Sequence, residues 1–106
     1  MKNFTKNFIN EFSKTLSNIN LDSIEIAVKI LKNLKKQKGR LFLIGIGGSA
    51  GNTSHAVNDF RKLCNIESYS PTDNPSEITA RTNDEGFETI FEEYLKISKL
   101  SKKDIL

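Results

Sequence analysis

His55 and Asp59 stand four residues apart, so on a helix their side chains share one face. An imidazole and a carboxylate at that spacing can ligate one divalent metal, or can act as base and orienting group in a proton transfer. The same spacing also describes an ordinary surface pair on a helix, worth roughly a few tenths of a kcal/mol. What separates these readings is the neighbourhood. Six residues before the histidine, Gly45-Ile-Gly-Gly-Ser49 ends a run of four apolar residues, Leu41 to Ile44. Gly45, Gly47 and Gly48 let a backbone bend sharply and approach a ligand closely, and Ser49 offers a hydroxyl where a helix should begin. A strand, a glycine turn and a helix N-terminus together form an anion-binding geometry, because free N–H groups and the positive end of the helix dipole converge there. The expected ligand group is a phosphate.

Three phosphate-bearing ligand classes compete for the loop. Gly45-x-Gly47-x-x-Ala50 matches a relaxed dinucleotide fingerprint, with Glu67 placed 22 residues after Gly45 as a candidate ribose acid. Dinucleotide loops, however, place small apolar residues at the helix start, whereas Asn52, Thr53, Ser54 and His55 open this one. An ATP-type phosphate loop is excluded, since no lysine follows the glycines and the spacing is wrong. A sugar-phosphate pocket, in which the polar helix start meets sugar hydroxyls, uses more of the residues.

The elements that must position these groups follow from periodicity. Phe4, Phe8, Ile9, Phe12 and Leu16 make an apolar stripe on a helix over about Asn3 to Ser17, a face for core or subunit packing. Asp22-Ser-Ile-Glu25 has the form of a capping box, and a second helix is expected from about Ser23 to Lys38. Its buried face would be Ile24, Ala27, Val28, Leu31 and Leu34, and Gly39 would be its stop. Leu41 to Ile44 reads as a strand buried on both faces, and a polar-fronted helix runs from about Ser49 to Cys64. Ile66 to Ser70 is a second short strand and Pro71 to Pro75 a loop. Ser76 can cap a short helix from Glu77 to about Thr82, which Asn83-Asp-Glu-Gly86 ends; a fifth helix runs from Phe87 to near Lys99. Ser101 to Leu106 is a turn and the first two residues of a further strand. Two strands and the beginning of a third are too few for a doubly covered sheet, so the chain reads as cut short, a fragment or a truncated form.

With 106 residues, 37% hydrophobic and 27% charged, the composition is that of one small globular domain without a disordered or membrane-spanning segment. The N-terminus lacks the apolar core and cleavage site of a signal peptide, which makes the cytoplasm the expected compartment. Cys64, the single cysteine, excludes an internal disulfide and a cysteine zinc cluster. The net charge of +3 is dispersed, and Lys35, Lys36, Lys38 and Arg40 read as a solvated helix end. No aromatic residues interleave with them for stacking on bases, so no nucleic-acid partner is expected, and without a run of about 18 apolar residues no membrane is expected either.

Gly47-Gly-Ser-Ala50, His55-Ala-Val-Asn-Asp59, Thr72-Asp73 and Thr82-Asn-Asp-Glu-Gly-Phe87 resemble, in order and spacing, successive motifs of phosphoheptose isomerases, members of the sugar isomerase (SIS) fold. The likeness runs along the whole chain but covers only the N-terminal half or so of that family's domain. It implies a single partial SIS domain over 1–106, with N-terminal helices over 1–38 and the first half of an α/β core over 40–106. The implied fold class is α/β, a three-layer, flavodoxin-like or Rossmann-like parallel sheet flanked by helices. The implied reaction is aldose–ketose isomerisation of sedoheptulose 7-phosphate to a heptose 7-phosphate through an enediol. Gly47, Gly48 and Ser49 would line the substrate site, Asn83 and Asp84 would contact the sugar, and His55 and Asp59 would ligate zinc. Asp59 would also touch substrate as the catalytic base; no nucleotide cofactor is implied, and the chain would assemble as a homo-oligomer, a tetramer.

Two positions depart from that family's pattern. Asp59 stands where the family usually has glutamate, which draws the carboxylate back by about 1 Å. Ile46 stands where asparagine usually precedes the two glycines. Both point to a divergent subgroup with a changed substrate. The family's phosphate-gripping Ser/Thr loop, its glutamine and its second histidine fall after the position of Leu106, so this chain alone is expected to isomerise poorly. A non-catalytic SIS module that binds a phosphosugar or a protein partner is the alternative.

Overall fold

The computed structural model describes residues 1–106, which divide into two compact units, Met1–Ile30 and Leu31–Leu106. Within the first unit, α1 spans Lys2–Ser17. Its apolar stripe forms as the periodicity predicts, yet no residue of it is buried, and Phe4, Phe8 and Phe12 are 77%, 60% and 57% exposed. Phe8 and Phe12 cover part of each other, their rings stacked with centroids 6.4 Å apart.

α2 runs over Leu21–Gln37 and begins two residues before the expected start. Asn20, not Asp22, caps it: the Asn20 Oδ1 accepts the Ser23 N–H at 3.0 Å, and asparagine is as strong a cap as aspartate. Of the predicted buried face only Leu34 is buried and Leu31 partly so; Ile24, Ala27 and Val28 are exposed. The helix ends in a Schellman turn, with the Lys38 N–H on the Lys35 carbonyl at 3.1 Å and the Gly39 N–H on the Leu34 carbonyl at 3.0 Å. Lys38 (φ 55°) takes the left-handed position expected of Gly39. Gly39 is needed for a different reason: a Cβ there would lie 1.9 Å from the Lys103 carbonyl oxygen.

In the second unit, β1 (Leu41–Phe42) pairs in parallel with β2 (Ser68–Tyr69), in the register Leu41 to Ser68 and Phe42 to Tyr69. On its other side Leu41 bridges Ile105 in parallel, with the Phe42 N–H on the Ile105 carbonyl and the Ile105 N–H on the Arg40 carbonyl, each at 2.9 Å. β1 is therefore central, with β2 on one side and the Ile105 bridge on the other. Leu41 and Phe42 are buried as expected, but Ile44 is already at the exposed rim. Leu34, Leu41 and Ile66 form the core, packed by Leu31, Leu43, Phe60 and Ile105. Phe42 stacks on Tyr69, its cross-strand neighbour, with centroids 5.7 Å apart.

α3 covers Gly48–Lys62, α4 Pro75–Glu85 and α5 Ile90–Ile97, with short 3₁₀ turns at Pro71–Asp73 and Phe87–Thr89. α4 differs most from expectation. Asn74 caps it by accepting the Glu77 N–H at 3.3 Å, Pro75 fits the first helical position, and Gly86 (φ 92°) ends it. Asn83 and Asp84, expected in the turn beyond the helix, lie instead in its last turn.

The segment ending at Ile105 is held by Arg40. The Asp104 carboxylate accepts the Arg40 backbone N–H at 2.8 Å, the Arg40 Nε–H at 3.2 Å and the Nη2–H at 2.7 Å. Arg40 also donates to the Ser98 and Lys99 carbonyls at 2.8 and 3.0 Å and lies over the Phe42 ring. The Asp104 side chain is 3% exposed, and the Arg40 guanidinium holds its carboxyl well below the usual carboxylate range. Arg40 is thus a structural anchor and not part of a solvated lysine group.

Candidate functional site

Parallel α/β sheets present ligands with the space beyond the carboxyl ends of their strands, where neighbouring connections leave in opposite directions. With β2 and the Ile105 bridge on opposite sides of β1, that place lies between β1 and the Ile105 segment, and the chain leaving β1 there is Gly45 to Ser49. Two of its glycines are required by the backbone. Gly47 has φ 63°, and a Cβ on Gly45 would lie 2.4 Å from the Ser49 carbonyl oxygen. At Gly47 and Gly48 a Cβ would meet nothing within 4 Å, so the tip of the turn is open to a ligand.

α3 begins at Gly48, one residue earlier than expected, with Gly47 in the cap position and no side-chain cap. Ser49 is therefore not a helix cap. Its Oγ accepts the Ile46 N–H and donates to the Ile46 carbonyl, both at 2.8 Å, and so braces the turn. The first amides of α3 have no intrahelical acceptor, which leaves the partial positive charge of the helix N-terminus at the open tip.

Behind the tip, hydroxyls tie α3 to the chain leaving β2. Thr53 Oγ1 lies 3.1 Å from Ser70 Oγ, which lies 3.0 Å from Thr72 Oγ1, and Ser54 donates to Asp73. Ser70 is 4% exposed. This relay was only partly legible: the polar start of α3 and Thr72-Asp73 stand out in the sequence, but nothing local marks Ser70, which reads as one residue of a strand.

His55 and Asp59 do share a face of α3, with His55 Nε2 3.2 Å from Asp59 Oδ2. The face is outward: the two side chains are 77% and 45% exposed. They are two donors, short of the four that a zinc ion takes, and no group of three or more His, Cys, Asp or Glu side chains in this chain could hold a metal. Asn83 and Asp84 are exposed at the end of α4, where Asn83 Nδ2 donates to Asp84 Oδ1 at 2.8 Å. The site residues thus form three local groups, Gly47–Ser49, His55 with Asp59, and Asn83 with Asp84, and no hydrogen bond joins one group to another.

The dinucleotide reading loses two supports. A dinucleotide-binding half has its third strand beyond β2, in the order 3-2-1, whereas here the third segment pairs with β1. Glu67 precedes β2 at the amino end of the sheet, where it accepts the Tyr69 hydroxyl at 2.7 Å and cannot reach a ribose at the other end.

No helix is long and apolar enough to cross a membrane. No protein-family model matches the chain. No curated protein matches it. Among solved structures it is similar to phosphoheptose isomerase GmhA from Neisseria gonorrhoeae, with a TM-score of 0.78 at 18% identity over 96% of this chain. The match spans 58% of that protein's chain. At this identity the likeness concerns the fold, and the chain shares with that isomerase a partial α/β fold: helices around a small parallel sheet.

Proposed function

We propose that the chain is part of a sugar-phosphate isomerase of the phosphoheptose isomerase type, within the SIS fold. The observation that carries this reading is the open glycine tip, Gly47 and Gly48, set at the carboxyl end of β1 against the helix N-terminus of α3. In this reading the amides of Gly47, Gly48 and Ser49 bind the phosphorylated sugar, and Asn83 and Asp84 contact its hydroxyls. Asp59 takes a proton from the carbon beside the ketose carbonyl, giving an enediol. The proton returns to the former carbonyl carbon, and the adjacent hydroxyl-bearing carbon becomes the aldehyde. Zinc belongs to the proposal only with donors beyond His55 and Asp59; proton transfer is assigned to Asp59. Assembly as a homo-oligomer through the α1 stripe and a cytoplasmic location complete the reading.

An enediol exchanges its proton with solvent. Incubation with sedoheptulose 7-phosphate in D₂O should therefore place deuterium on carbon 1 of the recovered ketose and on carbon 2 of the heptose 7-phosphate formed, and shift the amide resonances of Gly47, Gly48 and Ser49, and Asp59→Asn should abolish the exchange while keeping the shifts. Absence of both effects refutes the proposal.

One observation favours a second reading, a non-catalytic module that binds a phosphosugar or a protein partner. His55 and Asp59 face solvent on α3, paired with each other. Amide shifts without deuterium incorporation would select it.

A further inference from the structure

The sequence separates its lysines into groups some sixty residues apart, and the fold gathers two of these groups on one face. Lys35, Lys36 and Lys38 end α2; Lys99, Lys102 and Lys103 follow α5. Gly39 packs against the Lys103 carbonyl, and Arg40 reaches the Lys99 carbonyl and the Asp104 carboxylate. The two lysine groups therefore flank one hydrogen-bonded joint at the amino end of the sheet, opposite the glycine turn. All six are exposed, and the ion pairs of the chain use Arg40, His55, Arg81 and Lys96 instead.

Three features distinguish this face from ordinary helix ends. Lys38 and Lys99 occupy left-handed backbone positions (φ 55° and 51°), where glycine is the unstrained residue. Lys102 and Lys103 lie beyond α5, outside the last turn in which a helix dipole rewards a cation. Lys35 and Lys38 also line a recess of about 320 Å³ with Gly39, Asn65 and Glu67. Of the nearby carboxylates, Asp104 is paired with Arg40, and Glu67, which accepts the Tyr69 hydroxyl, is the one carboxylate lining that recess, against its two lysines.

We propose that this face binds the phosphate backbone of nucleic acid without reading its sequence. Lysine is depleted in protein–protein interfaces, which rely on aromatic and arginine anchors, and the one arginine at this joint, Arg40, is already engaged by Ser98, Lys99 and Asp104. Phosphate contacts need only cations at suitable spacing, and the lack of interleaved aromatic residues removes base stacking but not backbone binding. Along the sequence the lysines that end α2 read as a solvated helix end without aromatic residues for base stacking; the fold adds Lys99, Lys102 and Lys103 beside them.

The test is fluorescence anisotropy of a labelled mixed-sequence DNA duplex against salt concentration. Contact with about five phosphates gives a log–log slope near −4.5, an affinity loss of about 500-fold between about 50 and 200 mM salt. Replacing Lys35, Lys38, Lys102 and Lys103 together by Gln should reduce the slope to about −1, with an unchanged circular dichroism melt. Replacing Lys2, Lys6, Lys14 and Lys29 by Gln makes the same change in net charge and should leave most of the slope intact. Equal losses in both variants would reduce the effect to net charge and overturn the proposal. So would no binding at low salt, or binding to polyglutamate or anionic vesicles as tight as to the duplex.

Discussion

Replacing Asp104 by alanine removes the acceptor that ties the third strand segment to β1. The carboxylate accepts from the Arg40 backbone and guanidinium, and also from the Ser101 N–H at 2.8 Å and the Ser101 hydroxyl at 3.0 Å. Breaking a buried pair from one side costs about 3–5 kcal/mol, against about 0–1 kcal/mol for an exposed one. Here the Arg40 side chain is 24% exposed and keeps the Ser98 and Lys99 carbonyls, so the remaining charge is not stranded and the lower end, about 3 kcal/mol, applies. For a domain of this size that lowers Tm by roughly 12–20 °C, read by circular dichroism at neutral pH. The same group predicts a pH dependence. Its pKa in the folded chain is depressed, so its stabilisation is complete above the unfolded carboxylate value, about 4, and is lost as pH falls through the folded value. The stability gap between the parent chain and Asp104→Asn should be flat above about pH 5 and close progressively below about pH 4. A Tm loss under about 3 °C, or a gap insensitive to acid, would show that Asp104 behaves as a surface carboxylate and would refute the anchoring argument.

Gly39→Ala places a methyl group against the Lys103 carbonyl oxygen and Leu34 Cδ1, at 1.9 and 2.6 Å, and should cost about 1–3 kcal/mol in urea denaturation. Gly48→Ala, with open space around its Cβ, should leave the melting temperature within a few degrees, so any loss of sugar-phosphate binding in an NMR titration would report the site and not the fold. Asn74→Ala removes the α4 cap and should destabilise by about 1 kcal/mol in the same denaturation assay. His55→Ala, at a mostly exposed pair, should change stability by less than about 0.5 kcal/mol; a larger loss would mean that the pair is buried by something beyond this chain.

Local chemistry makes much of this chain readable in one dimension. The stripes of α1 and α5, the glycine turn after Leu41–Ile44 and the 3.6-residue period that pairs His55 with Asp59 depend on neighbours within a few residues. Boundaries were harder, because several residues compete for each cap: Asn20 wins over Asp22, Lys38 takes the turn expected of Gly39, and Asn74 with Pro75 starts α4 before Ser76. The sequence by itself thus settled which segments are helical, where the chain turns sharply and that a polar helix start faces the turn. Tertiary structure decided the rest. The pairing of Ile105 with Leu41, not with β2, sets the strand order and places the glycine tip at a switch point, yet parallel pairing leaves no local mark. Arg40 and Asp104 are 64 positions apart, so their bond, like the joining of the two lysine groups, exists only once the sheet has formed. Exposure of the α1 stripe and of the His55–Asp59 face was equally unreadable, since amphipathic periodicity says which residues share a side and not what, if anything, covers it.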